Sequence, residues 1–83
     1  MIKIEIFSKK ECHLCEEAKE VIDRVRQSSG FPLQVEEVDI TTDPSLYERF
    51  KEDIPVVLVN GKKAFKYRVE EVALRKKLAR EFS

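Results

Sequence analysis

Cys12 and Cys15 are the only cysteines in this chain of 83 residues, and only His13 and Leu14 separate them. Residues three apart share one face of a helix, so two sulfurs at that spacing can close a disulfide with little backbone movement. The pair also offers two soft metal donors, with His13, the sole histidine, as a third. A closed zinc site takes four ligands, and the three here are all local. Redox exchange, part of a metal site and inert packing are the readings the residues leave open. Structural disulfides are rare in reducing compartments, and a Cys-x-x-Cys pair there is more often reactive, so the weight falls on redox chemistry.

The pair needs a helix that begins at Cys12. Ile2, Ile4 and Ile6 alternate as in a strand, and Phe7 to Glu11 is a short polar loop. From Cys12 the period changes: Leu14, Ala18, Val21, Ile22 and Val25 recur at helical spacing, and Ser28-Ser29-Gly30 ends the run. Cys12 then lies among the free N–H groups and positive dipole end of a helix, which favour a thiolate. Lys9 and Lys10 add to that field, and Glu11, Glu16 and Glu17 oppose it. Cys15, one turn inside, is expected to be the more buried sulfur. Cys12 is therefore the expected attacking thiolate and Cys15 the resolving thiol. His13 reads as a solvent-facing spacer that can tune the charge beside Cys12.

Further along, Leu33–Asp39 predicts a second strand, and Asp43-Pro44 caps a short helix carrying Leu46 and Phe50. Ile54–Val59 is an apolar strand opened by Pro55, and Asn60-Gly61 predicts a two-residue hairpin into Lys62–Phe65. A last helix is expected over Val69–Phe82, with Val72, Leu78, Ala79 and Phe82 as its apolar stripe and the Arg75 stem within that arc. The order β-α-β-α-β-β-α predicts an α/β fold: a four-stranded mixed sheet with helices on both faces, in one domain over residues 1–83.

Sixteen basic and sixteen acidic residues cancel, which argues against nucleic acid or an anionic membrane as partner. Arg75, Lys76, Lys77 and Arg80 read as a solvated helix end. The first residues alternate and carry no long apolar run, so neither a signal peptide nor a membrane span is expected, and the expected location is cytoplasmic.

Ser8–Cys15, Asp39–Pro44, Ile54-Pro55-Val56-Val57 and Asn60-Gly61-Lys62 together resemble the glutaredoxins, above all the small glutaredoxin-like proteins with a C-H-L-C type site. The resemblance implies a thioredoxin-like fold and a disulfide oxidoreductase. It also implies a cis bond before Pro55 beside the cysteines, with the Ile54 backbone offered to substrate as a short strand. Lys9 matches the family's basic residue three positions before the nucleophile. The implied partners are protein disulfides and a reductase or dithiol donor, met by a monomer. Some members of the family hold iron–sulfur clusters, which keeps a metal or cluster carrier as an alternative, alongside a non-catalytic binding module.

Two departures stand out. His13 replaces the usual proline after the first cysteine. Phe65-Lys66-Tyr67-Arg68-Val69 replaces the Gly-Gly pair and acidic residue that hold the γ-glutamyl end of glutathione, and Glu70 and Glu71 are the nearest acids. Side chains at those positions obstruct close backbone approach. The expectation is of no tightly bound cofactor and of glutathione as a poor electron donor. Phe65 and Tyr67 are expected to pack.

Overall fold

The structure, a computed structural model, describes residues 1–82. Strand β1 (Ile2–Ser8) runs down the middle of the sheet, whose order is β2-β1-β3-β4. It pairs in parallel with β2 (Leu33–Asp39), from Ile2 opposite Leu33 to Ser8 opposite Asp39. On its other side it pairs antiparallel with β3 (Val56–Val59). The hairpin then turns through Asn60 and Gly61, both at positive φ (49° and 83°), into β4 (Lys62–Lys66). Two successive left-handed residues are what a two-residue hairpin turn of this twist requires, and Asn-Gly supplies them.

The period of two along the strands sends side chains to opposite faces. Ile2, Ile4, Ile6, Val57 and Val59 face one way, into a core shared with Ala18, Ile22 and Val25 of α1 (His13–Ser29) and Leu74 and Leu78 of α3 (Glu71–Phe82). Phe7 and Val56 face the other way, where Phe50 of α2 (Pro44–Phe50) closes a second apolar cluster with Ile40, Ile54 and Cys15. The Phe7 and Phe50 rings lie 4.8 Å apart. The mixed sheet with helices on both faces is the expected architecture.

Local chemistry fixes the helix ends. Gly30 at φ 76° stops α1 in the left-handed conformation. The Asp43 carboxylate accepts from the Ser45 and Leu46 amides at 2.8 and 3.4 Å, with Pro44 in the first turn of α2. Asp39 accepts from the Thr41 amide and hydroxyl, capping a 3-10 turn over Ile40–Thr42 that the sequence pattern did not announce. These bonds hold the Asp39 carboxyl below its ordinary value. No helix among the described residues is long and apolar enough to cross a membrane.

The last helix departs from expectation. It begins at Glu71, two residues late, and its buried face is Leu74 and Leu78 rather than Val72 and Phe82, which are 66% and 58% exposed. Two residues are about 200° apart around a helix, so Val72 and Leu74 cannot share a face. Leu74 and Leu78, one turn apart, do, and Val69 fills the core just before the helix starts. Phe82 rests against Phe31 at the surface, ring centroids 5.5 Å apart. In α1, Leu14 and Val21 are only half-buried, while Cys15 is fully buried.

Glu71 fastens α3 to α1. Its carboxylate accepts from Arg75 at 3.0 Å and from Arg24 at 3.2 Å, and Arg75 also donates to the Ser28 hydroxyl at 2.7 Å. Arg75 is half-buried, as its place in the helical arc implied. Its hydrogen bonds, then those of Arg24, hold the Glu71 carboxyl below the ordinary 4.5.

Two predictions follow from α3. Leu78→Ala should lower unfolding free energy by about 2–5 kcal/mol, whereas Val72→Ala should change it by less than about 0.5 kcal/mol, read from urea melts. Equal effects would mean the helix is rotated. A depressed folded pKa means that the unfolded chain takes up the Glu71 proton first on acidification. The contribution of Glu71 is thus present above pH 4.5 and fades as pH falls through the lower folded value. Glu71→Gln should flatten that acid limb of stability against pH, and an unchanged limb would rule the linkage out.

Candidate active site

Strand β1 ends at Ser8, and a four-residue loop delivers the chain to α1. Glu11 turns it at φ 58°, a left-handed conformation in a non-glycine residue directly before Cys12. Cys12 is the N-cap of α1, extended at φ −109° and ψ 107°. Its carbonyl accepts the Glu16 amide at 3.1 Å, and its sulfur accepts the Cys15 amide at 3.3 Å. The helix thus points one of its free N–H groups at Sγ of Cys12, where a side-chain oxygen usually sits.

Cys12 and Cys15 form a disulfide, with their Cα atoms 5.2 Å apart. The two ends differ in access. Cys15 is fully buried in the cluster of Phe7, Ile40, Phe50, Ile54 and Val56, and Cys12 is half-exposed at the rim of that cluster. The expected asymmetry between an outer and an inner sulfur is present in the fold.

The Ile54–Pro55 bond is cis. Both residues are buried, and Ile54 packs in the cluster that holds the cysteines. The Pro55 carbonyl accepts the Tyr67 amide at 2.9 Å, whereas Ile54 takes part in none of the turn and loop backbone bonds among the described residues. Cys12, Cys15, Ile54 and Pro55 are thereby gathered at one end of the sheet. Lys9 lies in the loop before Glu11, half-buried and without an ion pair among the described residues. His13 stands in solvent, its side chain 89% exposed, with Nε2 3.6 Å from the Glu17 carboxylate.

The charges around Cys12 are partly settled by pairing. Glu16 is held by Lys19 at 3.0 Å, and Lys19 also reaches Glu37 of β2 at 3.0 Å. Burial works to lower the Lys19 pKa, but the hydrogen bonds to Glu37 and Glu16 outweigh it and raise the value from 10.5. The first-turn carboxylates of α1 therefore have neighbours, Lys19 for Glu16 and the His13 ring for Glu17. Among the described residues, no group of three or more His, Cys, Asp and Glu side chains is gathered as a metal ion would need.

Tyr67 was the residue least legible in advance. It is 42% exposed rather than packed, and its φ is 69°. Its hydroxyl donates to the Asp53 carboxylate at 3.3 Å, so the side chain crosses the chain just before Ile54. Tyr67, Arg68, Val69 and Glu70 form one wall of a groove whose other wall is Leu14, Glu17 and Val21 of α1. Phe65, by contrast, packs on the core as expected.

Known proteins share both the sequence pattern and the fold. Residues 3–79 match the family described as a glutaredoxin-like domain (DUF836). A glutaredoxin-like protein of Dictyostelium discoideum is 35% identical over 75 residues, which cover 84% of this chain and 68% of that one. A probable thioredoxin of Methanothermobacter marburgensis is 31% identical over 62 residues, covering 74% and 73%. Among solved structures, a structural-genomics target from X. campestris superposes with a TM-score of 0.75 at 21% identity, covering 93% of this chain and 96% of the other. Chloroplastic thioredoxin z superposes with a TM-score of 0.79 at 13% identity, covering 100% and 80%. At such identities the structures speak for the thioredoxin-like fold alone. The family match spans almost the whole chain, and the chain belongs to the glutaredoxin-like family.

Proposed function

We propose that this protein is a thiol–disulfide oxidoreductase that exchanges disulfides with protein partners through Cys12 and Cys15. The observation that carries the reading is the unequal pair: an outer sulfur at a helix N-cap, facing an N–H donor, disulfide-bonded to an inner sulfur sealed in the core.

In the reduced protein the helix start favours the Cys12 thiolate, because the Cys15 amide and the dipole end both stabilise negative charge there. That thiolate attacks a partner disulfide. One partner sulfur leaves as a thiolate and takes up a proton, and the other stays bonded to Cys12. Cys15 gives up its proton and attacks Cys12 Sγ, which closes the internal disulfide and frees the second partner thiol. Two electrons pass to the partner, and the Cys12–Cys15 pair is oxidised. Run backwards, the cycle is reset by a reductase or a dithiol donor. The buried Cys15 cannot meet a large substrate, so the first attack belongs to Cys12. The uncommitted Ile54 backbone is placed to pair with an extended substrate segment, and Lys9 and His13 supply charge at the rim. The protein works as a monomer in the cytoplasm, where a reducing pool keeps such a pair cycling.

Glutathione is a poor donor on this reading, and no cofactor is tightly bound. Glu71, one of the two acids near the expected γ-glutamyl position, is held by Arg75 and Arg24. Phe65 and Lys66 carry side chains where close approach needs bare backbone.

In the reduced protein, Cys12 should alkylate faster at neutral pH than an ordinary exposed thiol, and Cys15 should be protected. Cys15→Ser should trap a mixed disulfide with a disulfide-bonded protein substrate such as oxidised insulin, and Cys12→Ser should abolish exchange. Ordinary Cys12 reactivity with no trapped species would refute the proposal. For the donor, NADPH-coupled turnover should be faster with a thioredoxin-reductase-type flavoprotein than with glutathione and its reductase. Saturable turnover on glutathione alone would reverse that assignment.

A further inference from the structure

The net charge of zero conceals a separation. Residues 62–80 carry eight basic side chains (Lys62, Lys63, Lys66, Arg68, Arg75, Lys76, Lys77 and Arg80) against two acidic ones, Glu70 and Glu71. The rest of the chain therefore carries eight basic and fourteen acidic residues. The sheet order turns this sequence bias into a spatial one, because β4 is one edge of the sheet and the acid-rich β2 is the other.

Several of these basic side chains carry no ion pair among the described residues. Of the acids, Glu36 pairs with Lys3, Glu37 and Glu16 with Lys19, and Glu71, inside the basic run, with Arg24 and Arg75. Glu81, the acid closest in sequence to the basic run, receives the Asn60 side-chain amide at 3.2 Å. Lys62, Lys63, Arg68, Lys76 and Lys77 form no ion pair among the described residues, and Lys66 meets only the Tyr67 ring. Between β4 and α3 runs a shallow groove of about 280 Å³, floored by Ala64, Phe65 and Ala73 and rimmed by Lys63, Lys77 and Arg80.

We propose that the β4–α3 edge is a docking surface for an extended, acidic segment of a partner protein. The outer side of β4 pairs with no strand among the described residues, so its backbone can accept one. Lysines on an edge strand deter pairing with neutral strands and repel a second basic edge, including another copy of β4. The strand they admit is one whose own side chains are acidic. The cations extend past the edge onto α3, beyond what guarding one strand needs. An apolar floor suits alternate aliphatic residues of a peptide. Phe65, though it lines the floor, is half-buried against the core rather than a free stacking platform, which disfavours a nucleic acid. The inner end of the surface is Lys66 and Tyr67, tied to Pro55, so a docked segment would end beside the cysteine pair. Recognition at this edge is a binding property and does not rest on the redox reading.

The test uses the full chain and a labelled peptide of alternating Glu and Val, with a Lys-and-Val peptide as counterpart. The acidic peptide should bind saturably at low salt by fluorescence anisotropy, the basic one should not, and amide shifts should concentrate on Lys62–Lys66. The double variant Lys63→Glu, Lys77→Glu should weaken binding about tenfold, while Lys51→Glu, at the C-cap of α2, should change it less than about twofold. Circular dichroism should show both variants folded, since the changed side chains lie at the surface. Absence of saturable binding would overturn the proposal, as would equal loss in both variants or shifts away from β4. So would tighter binding of a single-stranded oligonucleotide that the double variant abolishes. Self-association of the free protein that the double variant removes would give the surface to a second copy and overturn it too.

Discussion

The site depends on where the first turn of α1 is pinned against the sheet. Ala18, Ile22 and Val25 press that helix onto Ile2, Ile4 and Ile6, while Cys15, on the same helix, belongs to the cluster on the other side. Helix and strand are thus locked by apolar contacts at both ends of their overlap. Burying an aliphatic side chain contributes about 1.5–3 kcal/mol, whereas an exposed ion pair contributes about 0–1 kcal/mol. Packing, not the rim of Lys and Glu, therefore decides where α1 begins. With Cys15 sealed in, the residue three earlier has no place but the cap, and the Cys15 amide falls on its sulfur.

The same constraint explains why the two sulfurs are unequal. A pair lying wholly on the surface would give neither cysteine a fixed role. A pair wholly in the core would be inert, since an apolar setting raises a thiol pKa and blocks access. Here the boundary between core and solvent passes between residues 12 and 15. Ile54 and Pro55 extend that boundary from β3, so the site is a seam between the second apolar cluster and water rather than a cavity.

Most of the frame was legible because its signals are local. Alternation in Ile2–Ile6, the Ser-Ser-Gly stop, the Asp43-Pro44 start and the Asn60-Gly61 turn each act within a few residues, and each appears where the pattern placed it. The cysteine pair and the exposed His13 were equally plain. What failed depends on distant partners. Val72 and Phe82 look as apolar as Leu74 and Leu78, and only the direction of the sheet selects the face of α3. The 3-10 turn at Ile40–Thr42 is an exception, since Asp39 caps it from only two residues away at the end of β2. The left-handed Glu11 and Tyr67 had no signal at all, since neither is the glycine that usually marks such a position. Net charge is legible too, but a sum carries no position, and position is what the sheet order supplies.

Tyr67 shows how such a conformation is held. A left-handed φ in a residue with a side chain costs about 1–2 kcal/mol. Its amide bonds to the Pro55 carbonyl, its hydroxyl to Asp53, and the following amide to the Lys66 carbonyl at 2.8 Å. At about 0.5–1.5 kcal/mol each, those bonds are enough to offset the strain. They also tie the exit of β4 to the segment that enters β3. Val69, buried immediately after, then fixes the approach to α3. The left-handed turn is thus the joint through which the basic edge and the cysteine end of the sheet share one rigid frame, and a residue freer at that joint would loosen both.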